Sequence, residues 1–334
     1  MTLTQSNTWP HISAPEPELK LADPYFGNVE LPLTASYYPA GFPLELSTNS
    51  RDVIESANES WGRWSREFER PPLRLRVRVD PKGALAPPPT FRRQGHLFCV
   101  VSDADNFAVA DLRLLSGAIF VSAQTAADHA WFRWFFVEAM GYVLLAQRYA
   151  IPVHAACVMG GDSGVLLCGA SGAGKSTLSF ACARAGWTYV SDDASWLLPD
   201  GAESTAIGRP HQARFRSDSP QFFPELERFA ERVRPNGKLS LEVPLEQFPE
   251  IRTASKCPVG NLVLLDRGTP APARLDKIEA GEVVDFLLQD AASYGEDVDC
   301  LRERTVRKLL RVPAYRLRYE SLNDGVELLS RLKN

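Results

Sequence analysis

The sequence is short of the features that mark membrane, nucleic-acid and metal-scaffold proteins. Its six cysteines, Cys99, Cys157, Cys168, Cys182, Cys257 and Cys300, fall without C-x-x-C spacing, and its five histidines form no His-x-His pair. No zinc site is suggested by that scatter, and isolated thiols fit a reducing cytoplasm better than a disulfide framework. Residues Met1 to Lys20 show no basic start followed by an apolar run, so a secretory signal is not expected. The most apolar segment, Trp134–Ala146, is interrupted by Glu138 and Gly141 and is too short to span a bilayer. Positive charge is not in excess: 37 Lys and Arg against 41 Asp and Glu give a formal net charge of −4. That balance offers no overall attraction for nucleic acid, so any polyanion site must be local. An N-K-x-D run for reading guanine is also missing.

What is present is a globular composition, 45% hydrophobic and 23% charged over 334 residues, enough for two domains or one domain with large additions. Its organising stretch is Gly169-Ala170-Ser171-Gly172-Ala173-Gly174-Lys175-Ser176, followed by Thr177. The spacing G-x-x-x-x-G-K-S turns backbone N–H groups toward an anion. It sets Lys175 within reach of β- and γ-phosphates and the Ser176 hydroxyl where Mg2+ would lie. An apolar strand, Val165–Cys168, precedes it, and a helix over Thr177–Ala185 aims its positive end at the same place. A glycine-rich turn alone would account for the glycines but not for Lys175 and Ser176 together.

Ahead of that stretch, residues 1–26 read as an extended arm with Pro10, Pro15, Pro17 and Pro24, and a strand pair is expected near Val29–Tyr38. Val53, Ile54, Ala57, Trp61 and Trp64 recur at helical spacing within Asp52–Phe68. Leu73, Leu75, Val77 and Val79 alternate with Arg74, Arg76 and Arg78, the pattern of a half-buried strand with a solvated basic face. After a proline-rich loop, Pro81–Pro89, strands are expected at Leu97–Val101, Phe107–Leu115 and Ala118–Val121. One long helix is expected over Ala126–Ala150, with Trp131, Phe132, Phe135, Phe136, Ala139, Val143 and Leu144 on its apolar face.

A strand Pro152–Met159 and a turn Gly160–Gly164 then lead into Val165–Cys168. In a hairpin of that register His154 lands beside Gly169; a hydrogen-bonded core histidine is the alternative. Trp187–Ser191 ends in Asp192 and Asp193, and a strand, helix, strand unit with parallel strands brings both carboxylates to the edge that carries the loop. Paired carboxylates there suit a divalent cation and acceptance of a hydroxyl proton; a turn or helix cap is the alternative. Arg209, His211 and Lys238 could add positive charge, or be solvated. Further on, Asn261–Asp266 reads as a buried strand, Gly268–Pro272 as a loop, Leu301–Leu310 as a helix with a solvated basic face at Arg302, Arg304, Arg307, Lys308 and Arg311, and Tyr315–Tyr319 as a closing strand before a last helix.

The segments VHAACV, GASGAGKST and VSDD, in that order between Pro152 and Trp196, resemble the HPr kinase/phosphorylase family and its relatives, the phosphoenolpyruvate carboxykinases. No glycine-rich segment like E-V-R-G-x-G-I follows the aspartates, so the nearer resemblance is to HPr-kinase-related bacterial serine kinases. The resemblance implies an α/β fold: a carboxykinase-like P-loop kinase core with a mixed sheet over residues 126–270, an α+β region over 1–125, and a C-terminal extension over 271–334. It implies transfer of a phosphoryl group from ATP to a hydroxyl, chiefly a serine of a protein or peptide. By the same resemblance, residues 169–177 hold the nucleotide and Mg2+ or Mn2+ is held by Ser176 and one aspartate, assigned as Asp193. The other aspartate acts as base, with His154 near the transferred group. A carboxykinase-like small-molecule kinase and a non-catalytic nucleotide-binding regulator are the alternatives. The expected partner is a hydroxyl acceptor, with neither nucleic acid nor membrane, and self-association is left open.

Overall fold

A computed structural model describes residues 29–235, 237–268, 272–289 and 296–333. The arm expected over residues 1–26 lies outside the described residues, as does most of the loop expected over Gly268–Pro272. The first half of the chain forms β1 (Leu33–Tyr37), β2 (Leu44–Thr48), α1 (Arg51–Trp61), β3 (Leu73–Asp80), β4 (Thr90–Gln94), β5 (Leu97–Val101), β6 (Phe107–Asp111) and β7 (Ser116–Ser122). These seven strands make one sheet in the order β1-β2-β3-β7-β6-β5-β4, with β1 and β4 at its two edges. The strand pair expected near Val29–Tyr38 is the single strand β1; its partner β2 follows a turn at Pro39–Gly41, where Ala40 and Gly41 take φ values of 52° and 85°. Alternation in β3 is as read: Leu73, Leu75 and Val77 are fully buried while Arg74 faces out. α1 stops at Trp61, since glycine at position 62 is a poor helix former; Trp64 beyond it is still buried, its N–H donating to the Trp61 carbonyl at 3.0 Å.

The long helix expected over Ala126–Ala150 is a broken run: α2 (Ala123–Ala127), α3 (His129–Phe132), a π-helical turn over Arg133–Val137, and α4 (Glu138–Ala146). The break has a local cause, because the Asp128 side chain accepts from the Trp131 N–H at 3.1 Å and caps α3. The run lies across the seven-stranded sheet, with Phe132, Phe136, Val137, Met140 and Leu144 in one core with Leu44, Leu73, Leu75 and Ile119.

The second half contains β8 (Ile151–Val153), β9 (Ala155–Gly160), β10 (Ser163–Cys168), α5 (Lys175–Arg184), β11 (Thr188–Ser191), β12 (Ser195–Leu197), β13 (Thr205–Ile207) and β14 (Gln212–Phe215). It continues through β15 (Glu231–Val233), β16 (Leu239–Pro244), β17 (Lys256–Arg267), β18 (Arg274–Ile278), α6 (Ala280–Gln289), α7 (Glu296–Arg307), β19 (Ala314–Tyr319) and α8 (Leu322–Ser330). A mixed sheet runs β11-β9-β10-β17-β13-β12-β8, with β19 on β17 and β18 on β19; a small sheet runs β14-β16-β15. β10 and β11 point the same way, as expected, but do not pair. The antiparallel hairpin strand β9 lies between them, and β17 occupies the other side of β10. The hairpin turn is only two residues, Gly161 and Asp162, with Gly161 at φ 70° in the first central position that a type II′ turn reserves for glycine. Arg302 does not belong to a solvated face: it is buried in α7 and paired with Asp299, whereas Arg307 is exposed and paired with Glu303. Among the described residues no helix is long and apolar enough to cross a membrane.

Candidate functional site

One antiparallel ribbon, residues 151–160 against 188–197, is interrupted at the same point in both strands. Ser191 pairs with Cys157 and Ser195 with Val153, which leaves His154 to Ala156 on one strand and Asp192 to Ala194 on the other at the break. Buried serines hold it open. Their hydroxyls, on Ser191 and Ser195, lie 2.6 Å apart, and that of Ser195 donates to the Ala155 carbonyl at 2.9 Å. Cys168 pairs with Ala155 across the hairpin, so the glycine loop starts beside His154, as the hairpin register predicted.

The loop itself turns at Gly172 and Gly174, with φ values of 91° and 93°, a region open to glycine at little cost. A Cβ on Gly174 would lie 2.9 Å from the Tyr319 hydroxyl. Lys175 opens α5 and is buried; its ammonium donates to the carbonyls of Gly169 at 2.7 Å and Ala170 at 3.3 Å. Asp193 Oδ1 lies 2.8 Å from His154 Nε2 and 3.7 Å from Lys175 Nζ. Imidazole, ammonium and carboxylate thus meet at one oxygen. Asp192 is buried, and its Oδ2 accepts from the Arg214 N–H at 2.6 Å.

The two neighbouring carboxyls are pushed in opposite directions. Burial raises that of Asp192 above the usual carboxylate range, against the opposing charge and N–H of Arg214. The Asp193 side chain is about half exposed; partial desolvation pushes it the same way, but the hydrogen bond and charge of His154, then Lys175 and Arg234, bring it below the usual range.

Ser171, Gly172, Gly174, Lys175, Ser176, Thr177, Asp192 and Asp193 line one cleft of about 1230 Å³. Gly169, Ala170 and Ala173 form the base of the loop, with the Ala173 N–H on the Ala170 carbonyl. Of the three basic candidates, Arg209 and Lys238 line the cleft, and Arg209 is held by Tyr142. His211 does not line it; its ring packs edge-on against Trp64 at 5.5 Å.

Sequence reasoning missed Arg214 on β14 and Arg216 just after it, Arg267 at the end of β17, and Trp134 and Tyr142 from the helical run, all of which line the cleft. A signal for the first two existed: Ala213 and Phe215 are buried and the arginines alternate with them. Asp52, Glu55 and His129 form a metal-type group among the described residues, but none of them lines the cleft, and His129 Nδ1 is 2.7 Å from Glu59.

No family model matches the sequence, and no curated protein matches it. A solved structure described as the Hpr(Ser) kinase/phosphatase from Coxiella burnetii is similar to 55% of this chain and 97% of its own, at 15% identity and a TM-score of 0.28. Fold and site together define a mixed α/β protein whose glycine loop, between a strand and a helix, opens into a large cleft.

Proposed function

We propose that this protein is a kinase of the HPr-kinase-related type, moving a phosphoryl group from ATP to a hydroxyl, that of a serine in a protein or peptide. The observation that carries this reading is the meeting of His154 and Lys175 on Asp193 Oδ1, at 2.8 and 3.7 Å, beside the glycine loop. The donor set fits a nucleotide and a hard cation. Gly172 and Gly174 leave a cradle that side chains would fill, and Ser176 and Asp193 offer oxygen ligands in the same cleft.

Bound there, ATP supplies the phosphoryl group and Mg2+ or Mn2+ offsets its charge. Residues 169–177 hold the phosphates through backbone N–H groups and the Lys175 ammonium. Asp193, kept anionic by His154 and Lys175, suits the cation. Asp192, with its raised affinity for a proton, takes up the one released by the acceptor hydroxyl. Arg216, whose guanidinium donates to the Ser171 hydroxyl at 3.3 Å, supplies positive charge at the loop.

Calorimetric titration with ATP and transfer of labelled γ-phosphate to cell extract test the reading together. Lys175→Ala should lose nucleotide binding, while Asp192→Asn, which removes the proton acceptor, and Asp193→Asn, which removes the cation's carboxylate, should each keep the fold and lose about 10²- to 10⁴-fold in turnover. Wild-type turnover by Asp193→Asn would reduce the aspartate pair to a turn.

A further inference from the structure

We propose that the acceptor is an acidic peptide segment lying extended along β4, an edge strand of the seven-stranded sheet. It would deliver its hydroxyl along the cleft to Asp192, beside the cation position at Asp193. The proposal rests on the kinase reading for the fate of that hydroxyl, but not for the docking.

The cleft continues well past the loop. At about 1230 Å³ it exceeds the roughly 300–1,000 Å³ of ordinary small-molecule pockets. Its far wall is Phe91, Arg92 and Arg93 of β4, with Phe98 and Trp134 beside them. β4 ends the sheet, and all five of its residues are exposed. One row of its backbone groups bonds β5 in unbroken register; the other row has no strand partner among the described residues. Sheets protect such an edge by shortness, charge, proline, a bulge or a covering element. β4 carries neither proline nor bulge, and its protection is the charge of Arg92 and Arg93, which repels a second copy of the edge but not an acidic chain. The hairpin of β15 and β16 adds Arg234, Lys238 and the half-exposed Leu239 to the same lining.

Charge selects the occupant. Among the described residues no carboxylate lies within 4 Å of Arg92, Arg93 or Arg234, and Arg234 shares its charge at longer range with Glu242, Asp193 and Asp192. Arg234 sits over the Trp134 ring at 5.9 Å, and its buried Nε has no hydrogen-bond partner among the described residues. Cations and apolar rings therefore share one wall, in a chain whose net charge is negative. An extended peptide answers all three features: its backbone pairs with the open edge, side chains on one of its faces meet Phe91, Phe98 and Arg93, and carboxylates on the other face meet Arg92. Single-stranded nucleic acid would satisfy the charge and the rings but leave the edge unpaired.

The test uses the full chain, without nucleotide, and a short fluorescein-labelled peptide of alternating Glu and Val around one Ser, followed by anisotropy. It should bind at least about tenfold more tightly than its Lys-for-Glu counterpart, the effect of a charge-assisted contact or two. The double variant Arg92→Glu/Arg93→Glu, on an exposed edge, and separately Arg234→Gln, should weaken it by a similar factor, with unchanged circular dichroism. Methylating alternate backbone nitrogens of the peptide should abolish binding in one register and spare it in the other. Equal binding of the Lys peptide, tolerance of both methylated registers, tighter binding of oligodeoxythymidine or phosphatidylserine vesicles, or a dimer that dissociates in the β4 variant would each overturn the proposal. A peptide that binds but is not phosphorylated with Mg2+ and ATP would sink the kinase reading and leave the docking. ATP binding without peptide binding would do the reverse.

Discussion

Gly174 and Gly186 both adopt left-handed φ, 93° and 84°, yet only one of them is crowded. A Cβ on Gly174 would meet the Tyr319 hydroxyl at 2.9 Å and Arg267 at 3.3 Å, while one on Gly186 would meet nothing within 4 Å. Conformation alone costs an alanine about 1–2 kcal/mol at either position. Gly186→Ala should therefore lower stability by that amount and leave ATP affinity untouched. Gly174→Ala should lower it further and also lose ATP binding, because either Tyr319 or the loop must shift. Thermal denaturation together with calorimetric ATP titration checks both variants. Wild-type ATP affinity in Gly174→Ala would mean that the loop's shape is not what holds phosphate. The same local logic explains why the glycine loop and Lys175 were legible in the sequence, each depending on neighbours within a few positions. The aspartate pair was placed by strand order instead, its partners His154, Lys175 and Arg214 being far away along the chain.

Among the elements, the turn into β14 carries a titrating group with a readable sign. His211 packs edge-on against Trp64 at 5.5 Å. Burial lowers its pKa from the usual 6.5, with Arg63 and Arg209 adding to the effect and Glu246 opposing it. The unfolded chain therefore takes up a proton near its ordinary pKa while the folded chain resists. Stability from this group is full above about 6.5 and is lost as pH falls through the lower folded value. Melting temperature should drop between pH 7 and 5, and His211→Asn should make that drop shallower; equal slopes would show that the ring is not resisting charge. Elements set by local pattern were readable, β3 through its alternation and the β9–β10 hairpin through Gly161. Those set by distant partners were not. The shared break at His154 exists because β8 pairs with β12 while β9 pairs with β10 and β11. β4, a run of Thr, Phe, Arg, Arg and Gln, is a strand only because β5 lies beside it. The basic run of α7 gave no hint that Arg302 turns inward to Asp299.

Across the whole molecule, the two halves are joined through rings more than through charges. Trp196 and Ile207, from the half that carries the loop, belong to the same core as the seven-stranded sheet. The Trp196 ring lies 6.4 Å from Trp64 and 5.5 Å from Tyr142, and it follows Asp193 by three positions, so the packing between halves also braces the site. Ion pairs cross the same boundary, Arg63 to Glu246 at 3.0 Å and Lys256 to Glu67 at 2.8 Å. Their basic partners are more than a third exposed, and each exposed pair contributes only about 0–1 kcal/mol. Truncating a buried tryptophan costs about 3–5 kcal/mol. The wild-type chain should thus unfold in one calorimetric transition, and Trp196→Ala should lower that transition steeply or split it in two. The double variant Arg63→Gln/Lys256→Gln should stay within about 1–2 kcal/mol of wild type. If removing the charges cost more than removing the indole, the halves would be held by their surfaces, and the cleft between them would be free to open and close.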